Sequence, residues 1–233
     1  MSNQPRRILV ATLALLAGMI PCALSAQILL PTTERRAVEF GYAYKWFERD
    51  ATSGPLERLE WETASLYGRY GALDRMTIHV EGGLWSVDDP DIEDRTFTRW
   101  VVGGGASVDV LRRGKWGVAA AASFNEVYDH DNDYLTDQRT RSWNAALWAQ
   151  CRLGAGRDRM VLWAGPVYVD DIAEFYPWGG KDPVSADTDN TVGALAGVSG
   201  VLFRYVTGFA SVTYVEHAQL RLGIAVRSRG VEP

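Results

Sequence analysis

Segments of about ten residues in which apolar and polar side chains alternate recur from Val38 to Val226, and this rhythm constrains the chain more than any single motif. Alternation with period two places the two sets on opposite faces of a sheet. Val38, Phe40, Tyr42 and Tyr44 alternate with Glu39, Gly41, Ala43 and Lys45, and Leu220, Leu222, Ile224 and Val226 with Gln219, Arg221, Gly223, Ala225 and Arg227. Met76, Ile78 and Val80 stand against Thr77, His79 and Glu81; Trp143, Leu147 and Cys151 stand against Asn144, Gln150 and Arg152. The phases of Leu59–Tyr70 and Arg159–Val169 stay open at this level. Pro166 lacks a ladder donor and marks a bulge or strand irregularity.

The pattern predicts an all-β chain of ten antiparallel strands, with eight as the alternative count. The candidate strands are Val38–Phe47, Leu59–Tyr70, Arg75–Trp85, Thr96–Val110, Lys115–Glu126, Thr140–Leu153, Arg159–Val169, Asn190–Leu202, Thr207–Val215 and Gln219–Arg227. Their lengths suit a tilted strand crossing the hydrocarbon layer, which takes roughly nine to eleven residues, against about five or six in ordinary soluble domains. Long polar connections (Glu48–Arg58, Ser86–Arg95, Val127–Arg139, Asp170–Asp189) alternate with short ones (Gly71–Asp74, Leu111–Gly114, Gly154–Asp158, Phe203–Val206). The alternation breaks only at the last hairpin, whose connection near Glu216-His217-Ala218 is brief.

Arg6 and Arg7, the apolar run Ile8 to Ile20 and the small residues ending at Ala26 read as a cleavable secretory leader. Pro21 stands where a lipoprotein signal needs a small residue, which argues against lipidation of Cys22. The expected organisation is a leader at 1–26, a periplasmic segment at 27–36, a barrel at 37–228 and a tail at 229–233. Losing Arg6 and Arg7 makes the mature chain more acidic than the −5 of the whole sequence, so nucleic acid is not an expected partner. Cys151 alone remains, which excludes an intramolecular disulfide. Past the leader no stretch approaches about eighteen consecutive apolar residues, the length that would mark a membrane helix. In lipid the other spanning solution is a closed sheet with every backbone group paired.

Alternation by itself does not say which phase faces inward, and a soluble exported lipocalin-like barrel would show the same stripe. Two features favour lipid outside. The aromatics Tyr42, Tyr44, Trp46, Trp85, Trp100, Trp116, Phe124, Trp143, Tyr168 and Tyr214 gather towards strand ends, as girdles at two interfaces would. The opposite phase is rich in Gly, Ala and Ser with scattered charges, which suits a narrow polar interior. With its leader, strand rhythm and loop asymmetry, the stretch Val38 to Arg227 resembles the small outer-membrane β-barrels, the OmpA-like and opacity-protein-like group. It departs from many of them in closing on Arg229-Gly230-Val231-Glu232-Pro233 in place of a terminal aromatic. The resemblance implies a closed barrel in the cell outer membrane, in contact with membrane lipid and lipopolysaccharide, that is structural or binds a surface ligand or protein.

The interior phase collects Glu39, Lys45, His79, Glu81, Arg99, Asp109, Asn125, Asn144, Gln150, Arg152, Arg221 and Arg227. Opposite charges there must pair, because an isolated buried ion is expensive. A plugged lumen follows more readily than a small-solute pore, since ten strands leave little free bore. Among the outer loops, Asp129, Asp131 and Asp133 offer oxygens that could hold a divalent cation, although their loop lacks the glycine and distal glutamate of an EF-hand. No other cofactor is implied. The longest loop carries Phe175, Tyr176 and Trp178 beside Gly179-Gly180, a candidate contact for a ligand or partner.

Catalysis has weak support in the residues. None of His79, His130 and His217 lies two places before a Ser, as the lipid A deacylase pattern would have it. Asp88 and Asp89 facing Glu216 and His217 would imitate an omptin-like site, but the carboxylate type and spacing match poorly. A rim-located hydrolase is the weakest of the alternatives, and no enzyme is expected.

Overall fold

The computed structural model describes residues 30–50, 58–88, 96–128, 139–154, 160–175, 184–185 and 192–228. They form β1 (Val38–Asp50), β2 (Arg58–Leu73), β3 (Met76–Asp88), β4 (Thr96–Arg113), β5 (Trp116–Tyr128), β6 (Arg139–Leu153), β7 (Met160–Phe175), β8 (Val184–Ser185), β9 (Val192–Phe203), β10 (Val206–Val215) and β11 (His217–Arg227). Each of the long strands pairs antiparallel with its neighbours in sequence, β7 pairs with β9, and β1 pairs with β11 from Glu39↔Arg227 to Phe47↔Gln219. The result is a closed barrel of ten strands, which settles the count against eight. The two-residue β8 was not expected; it pairs with the outer end of β7 at Glu174↔Ser185 and Phe175↔Val184.

Closure matters because it leaves no edge of unpaired donors and acceptors. Both ends of the barrel wall meet at one rim, where Ser228 N donates to Val38 O at 2.8 Å and Val38 N donates to Ser228 Oγ at 2.9 Å. That rim carries the tight turns at Asp74-Arg75, Gly114-Lys115 and Arg204-Tyr205. Gly114 sits at φ 59°, a left-handed conformation open to glycine without strain. In barrels of this kind the short turns face the periplasm. All the ladder shifts lie near this rim, at Gly71/Leu73, Asp109/Leu111 and Val206/Thr207.

Pro166 behaves differently from a bulge. The β6–β7 ladder stops between Ala146↔Val167 and Ala149↔Ala164 and resumes in the same register, while Pro166 stays paired with Ala194 of β9. The missing N–H therefore interrupts one side of the strand without inserting a residue.

The outward phase is apolar. Phe40, Leu66, Ile78, Leu84, Leu147, Leu162, Leu222 and Ile224 are all exposed, while Glu39, Lys45, Arg69, His79, Glu81, Asp109 and Arg221 are buried. Bulky hydrophobics around the outside and ion pairs within are the reverse of a soluble lipocalin-like barrel, so this wall is built for lipid and the protein belongs in the outer membrane. Trp100, Trp143, Tyr168 and Tyr214 stand exposed towards the long-loop end, and Phe40, Trp116 and Phe203 towards the periplasmic rim. Trp85 does not join these girdles. It shares the inward phase of Thr77, His79 and Glu81, and its ring packs edge-on against Trp61 inside the barrel at 4.9 Å.

Candidate functional site: the filled lumen

Inward positions on β1, β2, β3 and β11 build the first ion-pair group. Arg221 donates to Glu81, which also accepts from the Ser65 hydroxyl, and Ser65 reaches Ala43 O at 3.3 Å. Nearer the periplasmic rim, Arg69 Nη1 donates to Glu39 at 2.7 Å, and Arg227 sits 3.6 Å from Glu39 and 3.2 Å from Glu34. A second group lies across the lumen, where Asp109 accepts from Gln150 at 2.8 Å and from Arg152 at 2.5 Å. Glu39, Glu81 and Asp109 thus each meet donors from two other positions, the arrangement that makes buried charge tolerable.

The remaining polar candidates scatter around these pairs. Lys45 and His79 are buried on the same wall, His79 across from Gly105, where any Cβ would meet the imidazole. Asn144 donates to Ser142 at 3.0 Å, and Asn125 is buried one strand away. Arg99 lies towards the outer end, where its Nη1 donates to Thr98 O at 3.1 Å.

A stretch of the lumen from β6 round to β10 is largely apolar. Trp148, Trp163, Val167, Val169, Leu195, Phe209 and Val215 are each at most 8% exposed, although they occupy the lumen phase. Large rings fit because inward glycines make room: a Cβ on Gly223 would overlap the Phe209 ring, and one on Gly197 the Trp163 ring. This stretch of the lumen was missed by reasoning from charged residues. A parity count along β6 from Asn144 and Gln150 would have placed Trp148 inside.

The segment before β1, expected only as a periplasmic stretch at 27–36, docks on the barrel from Leu30 onward. Leu30 and Thr33 are buried under the periplasmic rim, Thr33 N donates to Thr77 Oγ1 at 2.8 Å, and Arg69 donates to Pro31 O. A turn closed by Ala37 N to Glu34 O at 3.0 Å leads into the wall, and Arg36 N donates to Gly71 O at 2.7 Å. The segment is a strap laid across the mouth.

Other sequence candidates fall elsewhere. Tyr176, Trp178, Asp129, Asp131 and Asp133 lie outside the described residues, and of Phe175 the backbone alone is described, at the outer end of β7. Among the described residues no group of His, Cys, Asp and Glu is placed to hold a metal ion. Glu216 and His217 form the tight hairpin between β10 and β11, with Glu216 at φ 61°.

A closed antiparallel wall, apolar outside and charge-paired within, defines an integral outer-membrane β-barrel. Its ten strands put it at the small end of the range of such barrels. No protein-family model matches the sequence and no curated protein sequence matches it. Solved structures do. An outer-membrane channel from Pseudomonas putida F1 shares 13% identity at a TM-score of 0.49, covering 85% of this chain and 97% of the other. The attachment invasion locus protein Ail of Yersinia pestis shares 13% identity at a TM-score of 0.37, covering 84% and 100%. The transport unit of the autotransporter AIDA-I from Escherichia coli shares 11% identity at a TM-score of 0.43, covering 93% and 97%.

Proposed function

We propose that this outer-membrane barrel acts at its outer end, as a surface-binding or scaffolding protein in contact with lipopolysaccharide and a surface ligand or protein, and that its lumen is a structural plug. The observation that carries this reading is the filled interior, where the paired charges around Glu39, Glu81 and Asp109 and the buried side chains of Trp148, Trp163, Val167 and Phe209 take up the lumen. A conducting path would have to displace both. The long connections, by contrast, all leave one rim, and they hold the acidic run Asp129, Asp131 and Asp133 and the aromatics Phe175, Tyr176 and Trp178. On this reading the aromatics anchor a ligand or partner, and the aspartates bind a divalent cation that bridges to phosphate on lipopolysaccharide.

Two measurements test the proposal. Purified protein in planar bilayers should show no steady conductance above the bare membrane, and open channels in the wild type would overturn the plug. Labelled lipopolysaccharide should bind the refolded protein in a calcium-dependent manner and lose most of that binding when Asp129, Asp131 and Asp133 are changed together to Asn. Binding unaffected by chelator and by the triple variant would remove the cation bridge.

A further inference from the structure

The periplasmic mouth contains a cavity of about 380 Å³, within the roughly 300–1,000 Å³ range of small-molecule sites. The strap closes one side of it, which separates the cavity from a plain open vestibule. Five arginines line it against three carboxylates, so the balance is positive even after Asp109, the partner of Arg152, is set against them. Two of the lining arginines are incompletely paired: Arg69 Nε and Arg152 Nη1 are buried and meet no acceptor among the described residues. Arg69 is 7% exposed as a residue, and Glu39 and Pro31 O hold its guanidinium in place at the edge of the cavity. Beside these cations lie the apolar side chains of Tyr67, Val161 and Phe209, with the two rings edge-on at 6.0 Å.

The geometry points to a periplasm-facing binding site for a small organic anion with an aromatic or compact apolar body. The carboxylate or sulfonate would accept from Arg152 and Arg69, in the charge-assisted mode that arginine favours. The body would lie against Tyr67 and Phe209, where offset and edge-to-face ring contacts are available. Inorganic phosphate satisfies the first requirement alone, and an aromatic cation only the second. The site lies at the end of the barrel opposite the loops invoked above and stands or falls independently of them.

Full-length protein in lipid nanodiscs should bind 2-naphthoate saturably, measured by calorimetry against empty nanodiscs. The affinity should exceed that for 2-naphthylmethylammonium and for inorganic phosphate by at least about tenfold, the equivalent of one charged hydrogen bond. Arg152→Gln should weaken naphthoate by about tenfold, and Ser199→Phe, which fills the cavity from its lining, should abolish binding while heat-modifiable migration on gels is retained. Should Arg152→Gln fail to fold, Ser199→Phe decides; should that fail too, Val161→Phe takes its place. Naphthoate binding no tighter than the amine or phosphate, or binding unchanged in the filled variant, would overturn the site.

Discussion

Glu81 accepts from Arg221 and Ser65 where no water competes, with side-chain exposures of 3% for Glu81 and 8% for Arg221. Removing one member of such a pair leaves the other charged and unsolvated. Arg221→Met should therefore destabilise the folded barrel by about 3–5 kcal/mol, read as a lower urea midpoint in detergent micelles. The double change Arg221→Met with Glu81→Gln should recover most of that loss, because no buried charge is left behind. A double variant as weak as the single one would show that the pair's geometry, and not its charge, holds this part of the lumen. Much of this wall was visible in the sequence, since Glu39, Glu81 and Arg221 stand in strands whose two phases differ sharply. The partners were not. Arg69 and Ser65 lie in β2, whose phase the residues left open, and strand register, which no local pattern encodes, brings them to Glu39 and Glu81.

At the scale of elements the strap and the ambiguous strands follow one logic. The strap is held by a few polar contacts, chief among them Thr33 N to Thr77 Oγ1, and by burial of Leu30. Thr77→Val removes the acceptor while keeping the shape of the side chain. Cleavage by trypsin at Arg35 and Arg36 should then rise by about tenfold, the equivalent of one hydrogen bond lost from a local opening equilibrium. Equal cleavage rates in wild type and variant would mean that the strap opens without breaking this contact. The strap was hard to see because it has no periodicity; its order comes entirely from the barrel it covers. β2 and β7 were obscure for a different reason. Trp61 and Tyr67 face inward while Leu66 faces out, and Trp163, Val167 and Val169 face inward while Leu162 and Tyr168 face out. Both phases are bulky, so the contrast that marks β1 and β11 vanishes wherever the lumen itself is oily.

For the molecule as a whole, the two kinds of interior wall have different consequences from the single kind of exterior. Inside, hydrophobic and charged residues coexist because each buried carboxylate meets donors from other strands and the rings meet one another. Outside there is one solvent for the whole central band, and a charge there has no partner within reach. Leu222 and Ile224 sit in the middle of that band, paired with Tyr44 and Tyr42 of β1 and exposed by 45% and 48%. Exposure of this kind would make Leu222→Arg harmless in a barrel surrounded by water, since it adds a charge to an accessible surface. In a bilayer the same change should cost about 2–4 kcal/mol. It should reduce the fraction that refolds into vesicles and acquires heat-modifiable migration, and Leu222→Ala should reduce it less. The strand closing the barrel makes this position sensitive, because β11 that fails to insert also leaves the edge of β1 open to lipid. Leu222→Arg refolding as well as wild type would mean that water, not acyl chains, surrounds this wall.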